Sequence, residues 1–147
     1  MMESLNDAHS QAIIDRLPHR EPMRLIQKVQ KLSANETVCE TIVNEQIARL
    51  FSKDGQVDCL VAIELIAQSA AIPLIGKQTP DTAPMAGMLI QIKNYSITQR
   101  SIPINSTLNT RVTVEVQPDS VFVMANGQVS FNNTVICEGS VTLAVQQ

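Results

Sequence analysis

The stretch Asp58–Gly76, "DCLVAIELIAQSAAIPLIG", decides how this chain is read. Its apolar residues occupy nearly every side of a helical wheel, so as a helix it needs cover all round. Glu64 and Gln68 interrupt it. They are four residues apart and share one face, one turn from each other. Burying a carboxylate without partners is costly. The pair therefore either shows a narrow strip to solvent or to a second subunit, or forms a site. In a site, Glu64 would move a proton and Gln68 would orient it or contact substrate. Asp58 is placed to cap the helix start, where its carboxylate can accept from backbone N–H groups. Pro73 bends or ends the last turn, because it lacks an N–H and crowds the carbonyl of Ser69. Gly76 offers a stop, and "KQTPDTAP" (77–84) reads as a loop.

Working outward, "LNDAHSQAIIDRL" (5–17) predicts a short amphipathic helix. Leu5, Ala8, Ala12, Ile13, Arg16 and Leu17 lie near helical spacing, Asn6 or Asp7 can cap the start, and Pro18 stops it. "MRLIQKVQK" (23–31) and "ETVCETIVNEQI" (36–47) predict strands joined by the turn "SANE", and "FSKDGQ" (51–56) a polar loop. From Gly87 onward the chain is strand-like. In "NTRVTVEV" (109–116) Thr110, Val112, Val114 and Val116 share one side, and in "TVICEGSVTLAV" (134–145) Val135, Cys137, Val141, Leu143 and Val145 fall in phase. "QPDS" (117–120) suits a tight turn, and Asn132–Asn133 a hairpin turn with positive φ. This order of elements predicts an α+β domain spanning 1–147, in which several antiparallel strands curl around one long helix. Sheet edges left over from that arrangement favour a dimer.

Composition excludes several function classes. The formal net charge is −3 and aromatic residues make up 3% of the chain, so a basic stripe interleaved with stacking aromatics is not expected, and neither is nucleic-acid binding. The longest apolar stretch is broken by Glu64 and Gln68 and falls short of the roughly 20 clean residues of a bilayer span. With three cysteines and a polar first segment, "MMESLNDAHS", the expectation is a soluble, cytoplasmic protein. Two histidines far apart and cysteines at 39, 59 and 137 lack the ligand spacing of zinc sites, and "GKQT" lacks the glycines of a phosphate loop. No metal or cofactor is expected.

Few residues remain that could carry chemistry. His19, in "LPHREPM", stands outside any apolar periodicity and is either a loop residue bonded locally or an acid–base group. His9 reads as a solvated helix residue. Cys59 could be acidified at a helix start, although no neighbour looks like its base. Gly87 in "MAGMLI" could let the backbone approach a ligand, with Met88 beside it.

"LPHREPMRLIQKV" (17–29) together with "VAIELIAQSA" (61–70) resembles the hot-dog-fold 3-hydroxyacyl-[acyl-carrier-protein] dehydratases. "AGMLIQIKNYSI", "IPINSTLNTRVTVEV" and "NTVICEGSVTLAV" sit where that family has its later strands. The resemblance runs from about Leu17 to Val145 and is greatest to the divergent dehydratase-like proteins of aryl-polyene gene clusters. It implies a long helix wrapped by a curved antiparallel sheet, usually dimerised into one continuous sheet. It also implies an acyl thioester substrate, carried by acyl-carrier protein or CoA, with Glu64 as the catalytic carboxylate. Gln68, Asp58, Gly87 and Met88 fall at substrate-side positions. The family's loop histidine, in His-Phe-Pro-Gly, has no counterpart: "FSKDGQVDC" (51–59) is shorter and holds no histidine. His19 matches a family histidine that is not the main base.

Three readings follow from the resemblance. The chain is a dehydratase relying on Glu64, with help from His19 if the fold brings it close. Alternatively it is a half-active or non-catalytic partner of a second hot-dog subunit. In the third reading it is a thioesterase whose helix carboxylate activates water.

Overall fold

The computed structural model describes residues 2–77 and 86–146. The predicted loop over 77–84 lies outside these beyond Lys77, as does Met85.

The central segment folds as two helices in line, α3 (Val61–Ala70) and α4 (Ile72–Gly76). The break falls at Ala71, and Pro73 sits in the first turn of α4, where its missing N–H costs nothing. Asp58 is not on the helix. It ends strand β5 (Gln56–Asp58), and its Oδ1 accepts from Leu60 N, capping the turn that leads into α3. Val61, Ala62, Leu65, Ile66, Ser69 and Ala70 are buried beneath a seven-stranded antiparallel sheet. In spatial order its strands are β1 (Glu3–Ser4), β2 (Lys28–Leu32), β3 (Glu36–Ile42), β8 (Thr107–Val116), β9 (Phe122–Phe131), β10 (Thr134–Gln146) and β6 (Ala86–Ile97). Helix α3 packs on β3, β8, β9 and β10, which is the wrapping the apolar helix demands.

One glycine sets how near the helix comes. A Cβ on Gly127 of β9 would stand 2.6 Å from Ile66 Cγ2, so only a residue without a side chain lets α3 rest there. Asn132 and Asn133, with φ of 52° and 62°, make the tight turn between β9 and β10.

Several local expectations change. The first helix, α1 (Asp7–Ile14), is capped by Asn6 as anticipated, but its buried face is Ser10, Ile13 and Ile14, leaving Ala8 and Ala12 in solvent. The strand expected over 23–31 begins only at Lys28, because Leu25 N bonds to a side chain, Gln68 Oε1, rather than to a neighbouring strand. The strand expected over 36–47 stops at Ile42. Asn44 then accepts from Ile47 N and starts helix α2 (Glu45–Phe51). The "polar loop" is a hairpin of β4 (Ser52–Lys53) and β5, turning at Asp54 and Gly55 with positive φ. Strand β5 pairs in turn with β7 (Ser101–Ile102). Val116 lies exposed beyond the core, and a bulge between Val135 and Cys137 turns Val135 outward and buries Ile136.

Candidate active site

Seen along its axis, the α3–α4 unit leaves one strip incompletely covered. Leu60 is exposed at its head, and Ile63, Glu64, Ala67, Ala71 and Leu74 are half-buried at helical spacing. The sequence leaves open whether the polar pair lies on such a strip. Glu64 does, with its side chain 26% exposed, but Gln68 is completely buried on the adjoining side.

His19 reaches this strip from outside the helix. It lies just after α1, where Leu17 is wholly buried and Leu17 N bonds back to Ile14 O. The anchoring of Leu17 leaves the next residues to run across the helix face. His19 Nε2 lies 3.4 Å from Glu64 Oε1, within the same chain. Such a contact is longer than an ordinary hydrogen bond, as is common for catalytic pairs before substrate arrives. His19 Nδ1 is buried and has no hydrogen-bond partner among the described residues. The backbone of His19 is held by arginines that the sequence reading did not single out. Arg24 Nε donates to His19 O at 3.2 Å, and Arg20 Nη1 donates to the same oxygen and to Leu17 O. Arg24 Nη1 also lies 3.6 Å from Asp15 Oδ1 at the end of α1. The alternation of charge in "HREPMR" could have hinted at this, but only the fold shows that the guanidiniums turn back on the chain.

Glu64 has a second neighbour. Gln68 Nε2 donates to Glu64 Oε1 at 2.9 Å. Oε1 thus faces both Gln68 and His19, and Oε2 has no protein partner among the described residues. A carboxylate fixed through one oxygen and open at the other can take a proton from a bound molecule.

The remaining candidates are more scattered. Gly87 lines a cavity of about 20 Å³ with Pro18, Ala71, Leu74, Leu143 and Val145, at the α4 end of the strip. Met88, the next residue of β6, pairs with Ala144 and is 66% exposed, away from that cavity. Asp58 lies at the opposite end, where it lines an open cavity of about 390 Å³ with Leu60, Tyr95, Ile97 and Arg100. His9 is exposed on α1. Cys59 is fully buried, and a hydrogen bond with Cys137 together with burial pushes its thiol up, opposite to the acidified thiol expected of a nucleophile. Burial likewise pushes the Cys39 thiol up to about 11. No helix among the described residues is long and apolar enough to cross a membrane.

Similarity to known proteins agrees with this layout. The profile of the ApeP-like family, described as ApeP dehydratase, matches residues 11–147. The 3-hydroxyacyl-[acyl-carrier-protein] dehydratase FabZ of Rickettsia massiliae (strain Mtu5) is 28% identical over 133 residues, spanning 88% of this chain and 86% of its own length. Among solved structures, a chain of the dehydratase heterocomplex ApeI:P from Xenorhabdus doucetiae has a TM-score of 0.79 at 24% identity, with 91% of each chain covered. Zebra fish thioesterase superfamily member 2 shares the fold at a TM-score of 0.66 and 17% identity, covering 95% of this chain and 96% of its own. The architecture is the α+β hot-dog fold, and the chain belongs to the ApeP-like dehydratase family.

Proposed function

We propose that this chain eliminates water from a 3-hydroxyacyl thioester, with Glu64 and His19 as its proton-transfer pair. The contact of 3.4 Å between them, made inside one chain, is the observation that carries the reading. The chain lacks a histidine in the hairpin ahead of α3, and His19 supplies an imidazole from the other side of the helix strip.

In this mechanism Glu64 Oε2 takes the proton from C2, and the electron pair of that C–H bond moves toward the thioester carbonyl. That pair then returns to form the C2=C3 double bond as the C3–O bond breaks, and Glu64 with His19 delivers a proton to the departing hydroxyl, so water leaves, a 2-enoyl thioester remains and the carboxylate is restored. Protons balance over the cycle. General acid–base catalysis of this kind contributes about 10²–10⁴-fold. The acyl group lies along the strip toward Ala71 and the cavity that Gly87 lines, and the thioester lies toward the helix start and Asp58. Its carrier is an acyl-carrier protein or CoA.

A second reading rests on a separate observation. Strand β6 ends the sheet, its outer edge unpaired among the described residues, and it exposes Met88, Leu89, Ile90 and Ile92. A long apolar edge of this kind is a template for another strand. A second hot-dog subunit, identical or different, would pair there, and with a different one this chain could be the less active half.

One assay separates these readings. The purified chain is incubated with a 3-hydroxyacyl thioester, and the products are read by mass. Loss of one water with the thioester intact supports the dehydratase. Release of free thiol would show hydrolysis instead, and an unchanged substrate that reacts only after a second hot-dog subunit is added would favour the half-active reading.

A further inference from the structure

The sequence leaves two roles open for Gln68, contact with substrate or orientation of Glu64, and its surroundings separate them. The side chain has no exposed surface. Its Nε2 donates to Met23 O at 2.8 Å and to Glu64 Oε1 at 2.9 Å, and its Oε1 accepts from Leu25 N at 2.9 Å. Both amide protons are therefore spent on the protein, and substrate could gain a contact only by breaking one of these bonds.

The partners are informative. Met23 and Leu25 belong to the segment that carries His19, and that segment joins the sheet ladder only from Lys28. Donating to the carbonyl of residue 23 and accepting from the N–H of residue 25 is what a residue of a parallel neighbour strand would do. One amide side chain stands in for that strand. Thr41 Oγ1 adds a bond to Leu25 O at 3.0 Å without touching Glu64. The same amide thus grips Glu64 directly and the His19 segment through its backbone.

We propose that Gln68 is a positioning residue that sets the separation of Glu64 and His19, and that it does not contact substrate. This rests on the dehydratase reading above for its kinetic consequence, but not for its geometric one.

Three variants test it. Gln68→Glu keeps the size and the acceptor for Leu25 N but has neither amide proton. Gln68→Met keeps the size alone and serves if the added charge prevents folding. Thr41→Val removes a buried bond to the same segment and leaves Glu64 alone. Kinetics on a 3-hydroxyacyl thioester are measured beside melting curves and imidazole ¹H–¹⁵N spectra, which are simple here because the chain has only two histidines. The Gln68 variants are expected to lose about 10²-fold in kcat with KM nearly unchanged, the cost of a misplaced reacting group. Thr41→Val melts earlier yet keeps kcat. The His19 signals move in the Gln68 variants and stay in place in Thr41→Val. A raised KM at unchanged kcat would make Gln68 a substrate contact and overturn the proposal. So would equal losses of kcat in the Gln68 and Thr41 variants, which would reduce it to a scaffold bond. Unmoved His19 signals in a folded Gln68 variant overturn it whether or not the wild-type chain turns over, whereas absent wild-type turnover with moved signals faults only the dehydratase reading.

Discussion

The two ring nitrogens of His19 have different surroundings, which favour one tautomer of the neutral ring. Nε2 faces a carboxylate, while Nδ1 is buried without a partner. A buried N–H with no acceptor costs more than a buried bare nitrogen beside apolar atoms, so the neutral ring should carry its proton on Nε2 and point it at Glu64. The ¹⁵N shifts of the ring in the folded protein check this, and a proton resident on Nδ1 would contradict it. Glu64→Gln and His19→Ala should each lower turnover by about 10²–10⁴-fold with folding intact, as judged by an unchanged melting curve. The carboxylate was legible in the sequence because a charged residue in an otherwise apolar helix breaks the pattern. The nearness of His19 was not. Forty-five positions separate it from Glu64, and only the docking of Leu17 into the core brings the two together.

The elements divide by the range of the forces that form them. Hairpin turns such as Asn132–Asn133 depend on local backbone preference and could be read directly. Helix α2 could not, because "ETVCETIVNEQI" alternates like one strand until Asn44, whose capping bond to Ile47 N ends it. Its only local signal was the Asn ahead of "EQIARLF". Asn44→Ala should cost about 1 kcal/mol in a denaturant melt, and no change would mean that the cap bond contributes little. Residues 23–25 misled in the opposite way: they have a strand's composition, but Met23 O and Leu25 N are bonded to a side chain from α3. The approach of α3 to the sheet was likewise invisible, since it depends on the absence of a side chain at Gly127. Gly127→Ala should destabilise the protein by about 1–3 kcal/mol, because the new methyl enters the space of Ile66. A neutral result in the same melt would show that the helix can shift to accommodate it.

At the scale of the whole molecule, the apolar helix, the wrapping sheet and the β6 edge, unpaired among the described residues, follow from one another. A helix apolar on most sides demands a curved sheet, and a curved open sheet leaves an edge. Charging that edge with Ile90→Lys should shift the protein to a smaller species in size-exclusion or sedimentation measurements, and an unaltered size would place any subunit contact elsewhere. Because Cys39, Cys59 and Cys137 are all buried within the fold, a thiol-alkylating reagent should label them only once the protein unfolds.

The claim that most needs testing is that Glu64 and His19 act together inside one chain. Glu64→Gln and His19→Ala chains, each inactive alone, are co-expressed and their dehydration of a 3-hydroxyacyl thioester is measured beside the wild type. An intrachain pair predicts that the mixture stays as inactive as either variant, since no chain holds both groups. Restored turnover in the mixture would contradict it, because a site could then be completed across two chains.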